Sequence, residues 1–300
     1  MLLATDLDGT FLAGDPEERN RLYQLIADHP EIRLVFVTGR GLEVVMPLLA
    51  DPTLPTPDYL ICDVGATVVE GPSLTPVQPI QSEIDVLWPG ESTVAEAMAV
   101  FPLLERQEVP QQRRCSYLCA PQDVPAEIEA VTAGLGCDVL YSQGRYLDIL
   151  PPGVNKGTTL ARLVRQLEVD PEDVLVAGDT LNDLDMLEAG FKGVCVGESE
   201  AGLLKATRDR ARIHHARRTG SCMVTSSSAM VGCTAMVRSK SSFVAPIFTA
   251  IPASWIISPA PGATIWQPRT RRVSAQTTSF IITRASRPAN RVCIGRNEVS

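Results

Sequence analysis

The stretch LLATDLDGT, residues 2–10, begins as a short apolar run and then passes into two carboxylates, Asp6 and Asp8, ahead of a glycine. An apolar run of this length is typical of a strand buried on both faces of a sheet. Two carboxylates this close together repel each other unless a cation lies between them. The stretch is therefore either an ordinary solvated turn after a buried strand or a site of chemistry, and the rest of the chain decides between the two.

Strand-like and helix-like segments alternate through the first 212 residues. Apolar runs predict further buried strands at 33–38, 58–63, 173–179 and 193–197, and apolar stripes at helical spacing predict helices between them. This alternation indicates βαβ units, and hence a Rossmann-like α/β fold with a parallel sheet and helices on both faces. We assign residues 1–80 and 153–212 to this core.

Residues 81–152 interrupt the alternation. They are predicted to form helix, strand, helix and a hairpin of two strands, with SQG at 142–144 as its turn. An α+β insert of this kind lies above the ends of the parallel strands. We therefore expect a cap domain that acts as a lid.

The last part of the chain differs in composition from the rest. Residues 213–300 hold eleven Lys and Arg against one acidic residue, Glu298, so this tail carries +10 and residues 1–212 carry −18 of the net charge of −8. It is rich in Ser, Thr, Ala, Arg and Pro and has no sustained periodicity. We expect an irregular tail, disordered or translated from a shifted reading frame; a basic arm for an anionic partner and a small extra domain are the alternatives.

The net charge of −8 argues against a surface for nucleic acid or anionic membranes. A membrane span is not expected, because the most apolar late stretch, 247–266, contains three prolines and no run of about 18 apolar residues. The eight cysteines form no CxxC pair, and no signal peptide precedes the first strand, so reduced thiols in a cytoplasm are expected.

Polar residues recur where the predicted strands end and where one later helix begins. Parallel strands present their carboxyl ends at one edge of the sheet, where ligands bind, so these residues are expected to converge on one crevice. In chain order the set is Asp6, Asp8, Thr38, Gly39, Lys156, Asp179, Asn182 and Asp183.

The residue types in this set match phosphoryl transfer through an aspartyl-phosphate. A carboxylate that attacks a phosphate dianion meets strong repulsion, which Mg²⁺ removes by binding carboxylate and phosphate oxygens together. Asp6 and Asp179 would supply the carboxylates, and Asp183 or Asn182 would hold a water on the ion.

Three further residues have predicted tasks in this chemistry. Thr38 and Lys156 would hold the remaining phosphate oxygens, the lysine as a point charge. Asp8 would protonate the leaving oxygen and then deprotonate the water that hydrolyses the intermediate.

DLDGT, a strand ending in TGR, a lysine at a helix start and GDTLND occur in this order and resemble the four motifs of the haloacid-dehalogenase-like (HAD) phosphatases. The resemblance covers about residues 1–212 and implies Mg²⁺ as the cofactor. The roles that it implies are nucleophile Asp6, acid/base Asp8, phosphate-binding Thr38, Gly39 and Lys156, and metal-binding Asp6, Asp8 (through its backbone carbonyl) and Asp179, with Asn182 and Asp183 beside them.

The segments PDYLICDVGATV (57–68) and LDILPPGVNKGTTL (147–160), with the insert, resemble the Cof-like and sucrose-phosphate-phosphatase-like branch of sugar phosphatases. This implies Mg²⁺-dependent hydrolysis of a sugar or glycoside phosphate, a small-molecule substrate. The alternatives are a phosphotransferase or phosphomutase with the same intermediate, and a non-catalytic binding protein with a defective C-terminus. Residues that could contact a sugar phosphate from the cap side are Arg40, Arg113, Arg114 and Asp148. Neither the particular sugar nor the oligomeric state follows from the sequence.

Overall fold

The computed structural model describes residues 1–110 and 112–216. The strands are β1 Leu2–Thr5, β2 Arg33–Val37, β3 Tyr59–Cys62, β4 Thr67–Glu70, β5 Glu105–Arg106, β6 Cys115–Leu118, β7 Asp138–Ser142, β8 Tyr146–Leu150, β9 Val174–Gly178, β10 Lys192–Cys195 and β11 Ile213–His215. The helices are α1 Pro16–Asp28, α2 Leu42–Leu49, α3 Ile80–Leu87, α4 Glu91–Met98, α5 Ile128–Gly134, α6 Lys156–Gln166, α7 Leu184–Glu188 and α8 Ala201–Thr207.

Seven strands form the core sheet in the order β11-β10-β9-β1-β2-β3-β4. All neighbouring pairs are parallel except β3 and β4, which are antiparallel. Strand β1 lies at the centre, between β2 and β9. The predicted Rossmann-like α/β core with an inserted α+β cap is confirmed.

Alternate residues of β1 pack on opposite faces of the core sheet, as the period of two in a strand requires. Leu2 and Ala4 belong to the hydrophobic cluster that also contains buried side chains of α3, α6, α7 and α8. Leu3 belongs to a second cluster with α1 and α2. Both faces are therefore covered by helices, which is why the first three residues of this strand are apolar and all four are buried.

The cap contains a four-stranded antiparallel sheet in the order β5-β6-β8-β7. Helices α4 and α5 contribute Val94, Met98 and Ile128 to its own hydrophobic cluster, together with Tyr117 and Ile149 from the strands. The cap therefore has a core that is separate from the two clusters of the core sheet.

Three features of the core differ from the sequence prediction. Strand β4 turns back antiparallel on β3, and β11 extends the sheet past residue 212, where the core was expected to end. Helix α3 packs on the core through Ile80 and Ile84, although the insert was placed from residue 81. Short strands and helices such as these have too few residues to give a clear periodic signal.

The predicted irregular tail lies, from residue 217 onward, outside the described residues. Among residues 1–110 and 112–216, no helix has the length and apolar character needed to cross a membrane.

Candidate active site

The loop after β1 brings Asp6 against β9. Its N–H donates to the carbonyl of Ala177 at 2.9 Å, and its own carbonyl accepts from the N–H of Phe11 at 3.1 Å, which closes the turn over residues 7–11. Gly9 has a φ of +80°, and a Cβ there would lie 2.1 Å from Oδ2 of Asp179. Glycine is required at this position because the two acidic loops approach so closely.

Lys156 is the first residue of α6, and its placement follows from the helix cap. The side chain of Asn155 accepts the N–H of Thr158 at 2.8 Å and forms a capping box, which fixes the first turn. The lysine side chain is completely buried. Its Nζ donates to Asp6 Oδ1 at 2.7 Å, to Asn182 Oδ1 at 2.8 Å and to Asp183 Oδ1 at 2.6 Å.

Three carboxylates lie around this lysine: Asp6 and Asp183 accept its hydrogen bonds, and Asp179 lies beside them. Burial raises the pKa of Asp6 well above its ordinary value, against the lowering effect of Lys156. Burial and the charge of Asp183 raise the pKa of Asp179 to about 6. Burial would lower the pKa of Lys156, but Asp183 and Asp6 outweigh it and raise the value. The site therefore holds more negative charge than its own cation compensates.

This excess of carboxylate oxygens suits a divalent cation. One oxygen from each of Asp6, Asp179 and Asp183 lies within 4.8 Å of the others. Thr10 donates its hydroxyl to Asp179 Oδ1 at 2.8 Å and so orients that side chain. Oxygen ligands, unbalanced negative charge and a braced geometry are what Mg²⁺ requires, so the residues present fit the ion.

Asp8 is directed away from this buried cluster. Its carboxylate accepts two hydrogen bonds from Arg40, one of them from Nε at 2.7 Å, in a fork that is typical of arginine–carboxylate pairs. Both side chains are partly exposed and both line a cavity of about 260 Å³ between the core and the cap. Asp8 thus lies in the wall of this cavity, which the carboxylates of Asp6 and Asp148 also line.

Of the predicted phosphate-binding residues, Gly39 lines this cavity. Thr38 is buried beneath it, where its Oγ1 accepts the N–H of Arg40 at 3.1 Å, and Lys156 is buried beside Asp6. On the cap side, the polar and aromatic lining residues are Gln107, Arg114, Ser116, Ser142, Gln143, Tyr146 and Asp148.

The cap-side predictions separate into two groups. Arg40, Arg114 and Asp148 line the cavity, whereas Arg113 pairs with Asp85 of α3 and is absent from the cavity lining. Neither arginine lies in β6, which begins at Cys115, so their different surroundings follow from the path of the loop before that strand.

The sequence analysis gave no site role to Thr10 or to Tyr146. Thr10 has a recognisable signal, since it ends the DLDGT motif, but its contact with Asp179 crosses 169 residues. Tyr146 lines the cavity, and the guanidinium of Arg145 lies 4.8 Å from the centre of its ring. Its position on the cavity side depends on the register of the cap hairpin, which the sequence does not specify.

The metal-free protein is expected to lose stability as pH rises through about 6. The pKa of Asp179 is higher in the folded protein than in the unfolded chain, so the folded state holds its proton more tightly and the advantage disappears once the group ionises. The loss is up to about 3 kcal/mol. Urea unfolding between pH 4.5 and 8, with a chelator present, measures it.

The matched variants are Asp179→Asn and Asp209→Asn, the latter an exposed carboxylate on the surface of the core. Asp179→Asn should flatten the pH dependence, and Asp209→Asn should leave it as in the unmodified protein. An unchanged slope in Asp179→Asn would contradict the assignment of this titration to Asp179.

This chain is similar to proteins of a known family. The family model for sucrose-6F-phosphate phosphohydrolase matches residues 1–226. The chain belongs to this family. The match confirms the resemblance to the HAD superfamily and to its sucrose-phosphatase-like branch.

Individual members of the family cover the same part of the chain. A glucosylglycerol-phosphate synthase from Pseudomonas anguilliseptica is 62% identical over 221 residues, which are 73% of this chain and 29% of that protein. A mannosylfructose-phosphate phosphatase from Agrobacterium fabrum is 32% identical, over 71% of this chain and 90% of its own length. The chain thus spans less than a third of the synthase that it matches.

A solved structure has the same architecture. The sucrose-phosphatase from Synechocystis sp. PCC6803, in complex with sucrose and phosphate, superposes with a TM-score of 0.64 and 27% identity, over 73% of this chain and 92% of that one. The core, the cap and their order along the chain are therefore shared with a phosphatase of this family.

Proposed function

We propose that this chain is a Mg²⁺-dependent phosphatase that hydrolyses the phosphate monoester of a glycoside through an aspartyl-phosphate at Asp6. The observation that carries the proposal is the buried cluster in which Lys156 binds Asp6 and Asp183. Asp179 lies within ligand distance of the same cluster, and Asp6 and Asp8 both line the cavity below the cap.

In the first step Asp6 attacks phosphorus. Lys156 occupies Oδ1 of Asp6, so the other carboxylate oxygen forms the new bond to phosphorus while the bond from phosphorus to the sugar oxygen breaks. Asp8 gives its proton to the departing oxygen. Because Asp8 is bound by Arg40 in the absence of substrate, that fork must open as the leaving group arrives.

In the second step water attacks phosphorus and Asp8 takes its proton, which releases phosphate and restores the Asp6 carboxylate. The N–H of Gly39 binds a phosphoryl oxygen, and the ammonium of Lys156, held against Asp6, adds positive charge beside the transferred group. Asp6, Asp179 and Asp183, with the backbone carbonyl of Asp8, would hold Mg²⁺, which neutralises the charge between nucleophile and phosphate when bound.

Two observations support the choice of a glycoside phosphate as the substrate class. The relatives are named for glucosylglycerol phosphate, mannosylfructose phosphate and sucrose, and each of these is a glycoside. The cap side of the cavity presents hydroxyl, amide, carboxylate and aromatic groups, which suit a polyhydroxylated leaving group. We infer a glycosylglycerol or glycosyl-sugar phosphate, with glucosylglycerol phosphate as the first candidate.

The test is release of inorganic phosphate by the full chain from glucosylglycerol phosphate, mannosylfructose phosphate, sucrose-6F-phosphate and glucose 6-phosphate. Release should require Mg²⁺ and fail with Ca²⁺, which takes more ligands at longer distances. The glycoside phosphates should exceed glucose 6-phosphate in kcat/KM by roughly tenfold or more.

The outcomes separate the parts of the proposal. In ¹⁸O-labelled water one labelled oxygen should enter each phosphate, since water attacks phosphorus. Transfer of the phosphoryl group to a second sugar, without label, would indicate a phosphotransferase or mutase. Folded protein that binds Mg²⁺ and releases no phosphate from any of the four compounds would contradict the activity.

A further inference from the structure

The loop over residues 38–40, which follows β2, is held by its carbonyl groups. The carbonyl of Thr38 accepts the N–H of Val64 at 3.1 Å, and that of Arg40 accepts the N–H of Asp63 at 2.8 Å. Asp63 and Val64 have φ values of +53° and +58°. This conformation is strained for a β-branched residue, and such strain is characteristic of functional sites.

The third carbonyl of this loop, that of Gly39, is bound from the cap. Arg114, the residue before β6, donates Nη1 to it at 2.6 Å. The N–H and C=O of a trans peptide unit point in opposite directions. The bond from Val64 to the Thr38 carbonyl therefore orients the N–H of Gly39, and the bond from Arg114 orients the N–H of Arg40, which donates to Oγ1 of Thr38 at 3.1 Å. Gly39 lines the cavity, and Thr38 is buried beneath it.

Arg114 also lies between one carboxylate of the core and one of the cap. It is 6% exposed, with Nη2 3.5 Å from Asp63 Oδ1 and Nη1 3.4 Å from Asp148 Oδ1 on β8. Ser116 donates its hydroxyl to the same oxygen of Asp148 at 2.5 Å. In the described part of the chain, Nε of Arg114 has no hydrogen-bond partner. The guanidinium thus depends on both domains for its charge compensation.

From this geometry we propose that Arg114 is a positioning residue that couples the seating of the cap to the phosphate-binding shape of loop 38–40. When the cap lies on the core, Arg114 binds the Gly39 carbonyl, the Arg40 N–H holds the hydroxyl oxygen of Thr38, and the loop presents the N–H of Gly39 and the hydroxyl of Thr38 to an anion. When the cap lifts, that bond is lost and the loop relaxes. The phosphate site is complete only beneath a seated cap, and product phosphate leaves as the cap opens.

This inference rests on the proposed phosphatase activity but is tested by binding. The probe is inorganic phosphate in excess Mg²⁺, titrated calorimetrically into the full chain and into Arg114→Gln, Arg114→Lys and Arg106→Gln. Arg106 is the matched control, because it is an exposed cap arginine that pairs with Glu91. Arg114→Gln should weaken phosphate binding about tenfold, Arg114→Lys should restore part of it, and Arg106→Gln should bind as the unmodified chain does.

The second measurement is hydrogen exchange of the amides of β6 and β8. Coupling is reciprocal, so phosphate should slow this exchange in the unmodified chain and in Arg106→Gln, and should no longer slow it in Arg114→Gln. A residue with a merely structural role would lower the melting temperature without removing the phosphate-dependent protection.

If Arg114→Gln does not fold, the double variant Arg114→Gln/Asp148→Asn is compared with Asp148→Asn instead. The double variant lacks one of the two carboxylates that Arg114→Gln leaves without a cation. The coupling would be overturned if phosphate bound equally well with and without Arg114 and slowed the hydrogen exchange of β6 and β8 equally in both cases. The proposed activity would not be affected by that result. Absence of phosphate release by the unmodified chain, together with Arg114-dependent protection, would overturn the activity alone.

Discussion

Asp6→Asn is expected to abolish phosphate release, with kcat reduced by roughly 10⁴-fold or more, while the protein stays folded. The amide cannot attack phosphorus, so the reaction loses its covalent intermediate. The fold should survive because Asp6 is one of three carboxylates around a single lysine. Removing one negative charge from a buried, overcharged cluster relieves repulsion, so the melting temperature of the metal-free protein should stay the same or rise.

The matched control is Asp185→Asn. This residue is close in sequence to the GDTLND motif but exposed, on α7. Its variant should keep kcat within about twofold of the unmodified chain. Phosphate release by Asp6→Asn at the unmodified rate would exclude Asp6 as the nucleophile. Calorimetric titration of Mg²⁺ adds an independent readout, because Asp6→Asn should bind the ion more weakly through the loss of a charged ligand.

Lys156→Met is expected to have the second large effect, and it should act on stability as well as on activity. Methionine has a similar length and no charge, so the variant leaves Asp6 and Asp183 buried without their cation. Breaking a buried pair in this way costs about 3–5 kcal/mol of unfolding free energy. Phosphate release should fall by roughly 10³-fold, because the ammonium no longer stabilises the transferred phosphoryl group.

The pH dependence distinguishes this cause from a simple packing defect. Without the lysine, burial raises the carboxylate pKa values further, so the destabilisation should be small at low pH and grow as pH rises and the acids ionise. Excess Mg²⁺ should restore part of the stability by replacing the missing positive charge. Urea unfolding across pH, with chelator or with Mg²⁺, measures both effects.

Lys205→Met provides the control for this variant, since Lys205 is exposed on α8. Its unfolding free energy should stay within about 0.5 kcal/mol of the unmodified chain at every pH. A Lys156→Met protein as stable as the unmodified chain at pH 7 in chelator would mean that the carboxylates do not depend on the lysine.

The sequence was enough to predict the set of site residues because most of them come directly after the end of a strand. Asp6 follows β1, Thr38 follows β2 and Asp179 follows β9, and neighbouring parallel strands present these ends at one edge. The sequence also located Lys156, through the helix start after Asn155. Four residues of the predicted set, Asp6, Lys156, Asn182 and Asp183, are in direct contact through the lysine ammonium.

The contacts of individual side chains could not be predicted from the sequence in this way. The sequence did not indicate that Lys156 donates its three hydrogen bonds to protein oxygens or that Arg40 binds Asp8. These pairings join residues 26 to 150 positions apart, and they depend on loop conformations that no local periodicity encodes. The contacts of Lys156 with phosphate and of Arg40 with the sugar stay predictions.

Hydrophobic periodicity and the residues at strand ends were enough to determine the parallel core, the cap insert and the set of polar groups at the sheet edge, because these depend on local alternation and on a general rule of parallel sheets. Only the tertiary structure decided that Arg114 binds Gly39 while its neighbour Arg113 pairs with Asp85. It also decided that the turn at Asp63 and Val64 binds the carbonyl groups of loop 38–40. The reason is that hydrogen bonds are directional and short. A shift of about one ångström, invisible to any sequence pattern, decides which partners a side chain has.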